Sequence, residues 1–198
     1  APSSPAATTA GAETTFPTSA PPPTAITASA TAGGSTGATL NGTVNANNAS
    51  TVVTFDYGLT TGYGETLAAV PSPLSGMISE TVSGSITGLT PNTTYHFRVK
   101  AVNSAGTTYG DDETFTTGTI APTATTDAAS AVTSSGATLN GTVKANNSST
   151  TVTFEYGTTL AYGTTKTAAQ SPVNGMIDTA VDEALAAAAN AYWVAFAR

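Results

Sequence analysis

GATLNGTV, residues 37–44, returns unchanged as residues 136–143, 99 positions further along the chain. The same offset carries Asn47-Asn48 onto Asn146-Asn147, and Thr54-Phe55 with Tyr57-Gly58 onto Thr153-Phe154 with Tyr156-Gly157. It also carries Tyr63-Gly64 onto Tyr162-Gly163, Ser72-Pro73 onto Ser171-Pro172, and Gly76-Met77-Ile78 onto Gly175-Met176-Ile177. No gap is needed, so each period reads as one structural unit. The match extends into the Pro/Thr-rich start of the chain: Thr8, Thr9, Gly11, Thr15, Phe16 and Thr18 are identical to the residues 99 positions on. The 198 residues are therefore two whole periods, out of phase with the unit.

Inside one period the apolar residues alternate, which predicts strands and not helices. Ala38, Leu40, Gly42 and Val44 share one face, with Thr39, Asn41 and Thr43 between them. Val53, Phe55 and Tyr57 make a second apolar face. Tyr95, Phe97, Val99 and Ala101 make a third, with His96, Arg98 and Lys100 turned the other way. Turn-rich stretches at 45–50 and 58–64 separate these runs. Short, evenly spaced strands with no helical pattern between them predict an all-β chain of two-sheet sandwiches.

The stretch GLTPNTTYHFRVKAVNSAG, residues 88–106, resembles the E–F corner and F strand of bacterial fibronectin type III domains. LNGTV and FEYG are similar to the B and C strands of the same variety. The resemblance implies tandem fibronectin type III-like, immunoglobulin-like sandwiches without disulfides, with Leu89, Pro91 and Tyr95 forming a tyrosine corner. It covers residues 24–118 well and 123–198 in part. Three segments follow from it. Residues 1–23 are a Pro/Thr-rich segment holding an orphan G-like strand, 24–118 a complete repeat, and 119–198 a second repeat without its own G strand. The second copy departs near its end, where ITGLTPNTTYHFRV becomes LAAAANAYWVAFAR. At the 99-residue offset Leu89 and Pro91 meet Ala188 and Asn190, so the corner is lost, while Phe196 meets Phe97. Alanine favours helix locally, yet the repeat register predicts a strand here, with Tyr192, Val194 and Phe196 keeping the core-facing alternation.

Charged residues make up 9% of the chain, against about 25% in an average domain, and the formal net charge is −7. With five Lys and Arg there is no basic stripe to neutralise phosphates, which disfavours nucleic acid and anionic membrane surfaces. Mean hydropathy is +0.03, and no apolar run approaches the roughly 18 residues of a membrane span. Cysteine is absent; a sandwich near 100 residues buries enough core to do without disulfides. The opening Ala-Pro-Ser-Ser-Pro suits a mature end left by signal-peptide removal. The expected location is therefore extracellular or the cell surface.

One histidine and no cysteine remove Cys–His catalysis, zinc sites and most triads, so neither enzyme activity nor a cofactor is expected. His96 is read as solvated. The run Asp111-Asp112-Glu113 is weighed as a calcium site against a solvated edge, and the edge is preferred because its counterpart Ala12-Glu13-Thr14 lacks the carboxylates. Asp56 and Glu155 are repeat equivalents and not a carboxylate pair across one cleft. Sequons make Asn41, Asn48, Asn92, Asn140, Asn146 and Asn147 candidate glycosylation sites, and residues 1–23 suit O-glycosylation.

Two classes of function remain. The first is a structural subunit or repeat window of an extracellular fibre, stalk or surface layer, with other copies of itself as partner. Residues 11–18 would donate a strand head-to-tail, Thr14, Phe16 and Thr18 facing inward and Phe16 standing where Phe115 stands in the first repeat. Tyr192, Val194 and Phe196 would form the acceptor edge. The alternative to donation is the same junction inside one continuous array. The second class is an adhesin or a carbohydrate-binding accessory module of a secreted enzyme, with Trp193 as the candidate platform for a glycan ligand. Near-equivalent repeats and the lack of an exposed aromatic cluster favour the first class.

Overall fold

The computed structural model describes residues 19–186 and 192–197. The expected donor residues Thr14, Phe16 and Thr18 lie outside the described residues. Among those described the chain is all-β. The first period contributes β1 (Thr24–Ala32), β2 (Gly37–Asn45), β3 (Val52–Gly58), β4 (Glu65–Ala68) and β5 (Ser79–Thr87). It continues with β6 (Thr94–Asn103), β7 (Gly106–Tyr109) and β8 (Glu113–Thr116). The second contributes β9 (Thr123–Thr133), β10 (Gly136–Lys144), β11 (Val152–Gly157), β12 (Thr164–Thr167), β13 (Asp178–Ala186) and β14 (Tyr192–Ala197).

Each period builds two antiparallel sheets. In the first, β1-β2-β5 faces β4-β3-β6-β7, with β8 also on β6. In the second, β9-β10-β13 accompanies β12-β11-β14. The alternation read from the sequence becomes burial directly. Leu40, Val44, Val53, Phe55, Phe97 and Val99 are fully enclosed, and Leu139, Val143, Val152 and Phe154 repeat the pattern in the second core. Phe97 lies 6.4 Å from Phe55 and 5.9 Å from Phe115, centroid to centroid, so rings from three strands meet in the first core. Burying each such ring contributes about 3 kcal/mol. The Tyr95 hydroxyl accepts a hydrogen bond from the Thr90 amide at 3.1 Å, tying β6 to the chain just upstream.

The 99-residue register holds through β13, where Gly136 pairs with Ala186 as Gly37 pairs with Thr87. It fails in β14. Phe55 pairs with Val99, but Phe154 pairs with Ala195, so Ala195 and not Arg198 takes the place of Val99. The amides agree: Val99 donates to Thr27 Oγ1 at 3.2 Å, and Ala195 donates to the equivalent Thr126 Oγ1 at 2.9 Å. Three residues fewer separate Ala186 from Ala195 than Thr87 from Val99. A slide of three is odd, so it swaps the two faces of the strand. Ala195 enters the core, while Tyr192, Val194 and Phe196 take the outward positions of His96, Arg98 and Lys100. This corrects the core-facing assignment of Tyr192, Val194 and Phe196 and the matching of Phe196 to Phe97. The reason is that YWVAFA is apolar at every position, so its own alternation does not select a face.

Candidate functional site

The two sandwiches are joined by a specific polar contact. In the first repeat the corner after β5 carries Asn92 with left-handed backbone (φ 47°), a conformation asparagine tolerates. The Asn92 amide donates to the Gly118 carbonyl at 2.9 Å, and Thr117 Oγ1 donates to the Thr90 carbonyl at 2.7 Å, so the corner grips the connector leaving β8. On the second repeat the β10–β11 turn places Asn146 and Asn147 in the same left-handed region (φ 52° and 62°). Asn147 Nδ2 donates to the Pro91 carbonyl at 2.9 Å and to Thr93 Oγ1 at 3.0 Å. Asn92 Nδ2 returns a bond to the Asn147 carbonyl at 2.8 Å. Asn146, almost fully buried, donates to the connector carbonyl of Ala121 at 2.7 Å. Reciprocal bonds across a short connector restrict how the repeats turn against each other.

A second cluster lies on the outer face of the β4-β3-β6-β7 sheet. Alternation on β6 sends His96, Arg98 and Lys100 outward, as the sequence predicts. The surroundings are not those of freely solvated side chains. The Arg98 guanidinium sits 3.9 Å from the Tyr109 ring centroid and 4.5 Å from that of Tyr63, with Asp56 Oδ2 at 3.5 Å from Nη2. Such cation–π contacts contribute about 0.5–1 kcal/mol each at exposed sites. Asp112 bonds two partners: Tyr63 donates its phenol to Oδ1 at 3.0 Å, and His96 Nδ1 lies 2.8 Å from Oδ2. Burial, followed by the hydrogen bond and charge of Asp112, raises the Tyr63 pKa above its ordinary 10.0. Asp111 and Asp112 are exposed, as the reading of a solvated acidic edge expects, but Asp112 also holds Tyr63 and His96, and the two tyrosines flanking Arg98 correct the expected lack of an exposed aromatic cluster. Neither feature was legible because Asp112 and Tyr63 are 49 residues apart. The cluster belongs to the first repeat: the second keeps Glu155 and Tyr162, but the slid β14 puts Val194 where Arg98 stands and Tyr192 where His96 stands.

No protein-family model matches this chain, and no curated protein matches it. Among solved structures, the sensor domain of the anti-sigma factor RsgI4 from Pseudobacteroides cellulosolvens is similar over 50% of this chain and 91% of that one. The identity is 23% and the TM-score 0.38. A likeness at that level carries no functional weight.

The remaining sequence-predicted residues separate clearly. Asn41 donates to the Ser29 carbonyl at 3.0 Å and Asn140 to the Ala128 carbonyl at 2.7 Å, each bracing an irregular strand edge. Asn92, Asn146 and Asn147 are engaged at the joint, so of the six sequon asparagines Asn48 alone has no side-chain partner among the described residues. β14, carrying Tyr192, Val194 and Phe196, has β11 as its strand neighbour, whereas β6 is flanked by β3 on one side and β7 and β8 on the other. The Trp193 side chain lies outside the described residues. Among the described residues no group of three or more acidic or histidine side chains is gathered to hold a metal. Among the described residues there is no helix long and apolar enough to cross a membrane.

Proposed function

We propose that this chain is a run of bacterial fibronectin type III-like repeats serving as a structural element of an extracellular fibre, stalk or surface layer. The observation that carries this reading is the joint. Asn92 of the first repeat and Asn147 of the second exchange hydrogen bonds, so polar residues of both are engaged in orienting one repeat on the next. The tyrosine at Tyr95 supports the family assignment, since its hydroxyl reaches back to the Thr90 amide as in a tyrosine corner. Among the described residues β14 pairs with β11 alone, which leaves its other side for a further strand. Thr15, Phe16 and Thr18 are identical to Thr114, Phe115 and Thr117 of the first repeat at the 99-residue offset, which makes residues 14–18 the strand this reading assigns to the slot. Donation from a second copy is heterologous and builds a filament; the same strand inside one polypeptide builds a continuous array.

Sedimentation and negative-stain microscopy of the 198-residue protein test this, with Phe16→Asp as the variant. Filaments lost in Phe16→Asp support donation. A long native polypeptide, seen in the mass of the source material, supports the array. A monomer of 19.5 kDa in both settings refutes both.

A second reading, a carbohydrate-binding or adhesin module, draws on the Tyr63–Arg98–Tyr109 cluster, where aromatic rings and charged edges share one exposed face. A glycan array reading a sugar that Tyr109→Ala abolishes would favour this reading.

A further inference from the structure

The first repeat contains the same turn that the second uses to hold its neighbour. Asn47 and Asn48 have φ 51° and 65°, against 52° and 62° for Asn146 and Asn147. Asn48 donates its amide to Gly76 as Asn147 does to Gly175, at 2.6 and 2.9 Å. Asn47 holds the Pro22 carbonyl at 2.6 Å as Asn146 holds that of Ala121. One thing differs: Asn147 is half-buried against Pro91 and Thr93, while Asn48 is exposed and its carboxamide has no partner among the described residues. Beside it a cleft of about 310 Å³ opens between Asn47, Asn48, Met77 and residues 19–21. Met77 is 69% exposed, whereas its equivalent Met176, next to the occupied turn, is 39% exposed. Ile78 and Ile177, one residue further, are equally exposed at 74% and 76%, so the difference does not extend to the next residue.

We propose that the Asn47–Asn48 turn is a docking socket for the corner of another sandwich repeat, one carrying Pro-Asn-Thr as residues 91–93 do. The required chemistry is on the page in the occupied joint: a free carbonyl and a hydroxyl to accept from the Asn48 amide, and a carboxamide to donate to its carbonyl. This chain's own second repeat does not supply it. The stretch of the second repeat at this point in the sequence, LAAAANAYWV at residues 185–194, contains no Pro-Asn-Thr. The socket therefore selects a repeat that carries Pro-Asn-Thr at its corner, as the first repeat does at residues 91–93. This inference rests on the repeat-array reading and specifies the partner.

Methionine oxidation by dilute peroxide, read by peptide mass spectrometry, tests it on the full chain. Met77 should oxidise about twofold faster than Met176, following exposure. Asn147→Ala, and separately Thr93→Val, should bring Met176 up to the Met77 rate. Residues 1–19 are then replaced by an in-register copy of residues 20–118, with Met77 of the outer copy changed to Leu. The inner Met77 should slow to the Met176 rate, and Asn48→Ala in the inner copy should restore the fast rate. An inner Met77 that stays fast, or an Asn48→Ala change without effect, overturns the socket. The two readings fail separately: a native polypeptide of 19.5 kDa removes the array while a protected inner Met77 keeps the socket.

Discussion

Ala195→Asp separates the slid register of β14 from a uniform 99-residue repeat. In a uniform repeat position 195 matches the outward His96, and a charge there costs little. In the structure Ala195 is 6% exposed, pairs with Phe154 and donates its amide to Thr126 Oγ1. A carboxylate at that position has to stay neutral at pH 7. Raising it from an ordinary 3.9 past 7 takes about 3 pKa units, or about 4 kcal/mol, a large share of the roughly 5–15 kcal/mol that stabilises a typical domain. Its folded pKa is raised, so the penalty is present above the unfolded value and vanishes below it. Most of the loss should disappear near pH 4. Phe196→Ala is the partner experiment. Half-buried on the outer face, Phe196 should cost about 1 kcal/mol, against the 3–5 kcal/mol of a core phenylalanine. Urea unfolding followed by the fluorescence of Trp193, the single tryptophan and a residue of β14, measures both. A loss above about 3 kcal/mol for Phe196→Ala together with a loss under about 0.5 kcal/mol for Ala195→Asp refutes the slide.

Phe55→Ala and Phe154→Ala should each cost about 3–5 kcal/mol in denaturant melts, while His96→Ala, which breaks one part-exposed pair with Asp112, should cost less than about 1 kcal/mol. A Cβ at Gly58 or Gly157 would overlap the carbonyl of Tyr63 or Tyr162, so both Gly→Ala changes should lower stability by about 1–3 kcal/mol by calorimetry. The folded state holds the Tyr63 proton more tightly than the unfolded chain does. Its contribution is therefore full below about pH 10 and is lost as pH rises through the raised value, and Tyr63→Phe should flatten the alkaline limb of the stability profile.

Faces of the long strands were legible because polar and apolar residues alternate there. Thr39, Asn41 and Thr43, alternating with Ala38, Leu40, Gly42 and Val44, leave one face for the core, and burial follows. The repeat offset was equally plain, since an ungapped match requires only comparison. Where every residue is apolar, as in YWVAFA, alternation is silent, and the shortened loop and pairing with β11 chose the face instead. The Arg98 cluster and the Asn92–Asn147 joint were hidden for a different reason. They gather residues 42 and 55 positions apart, each unremarkable alone, and their chemistry arises from strand order and from one repeat standing on the next. Local pattern reports which side of a strand meets the core; which polar groups meet each other outside it is set by the packing of whole sheets.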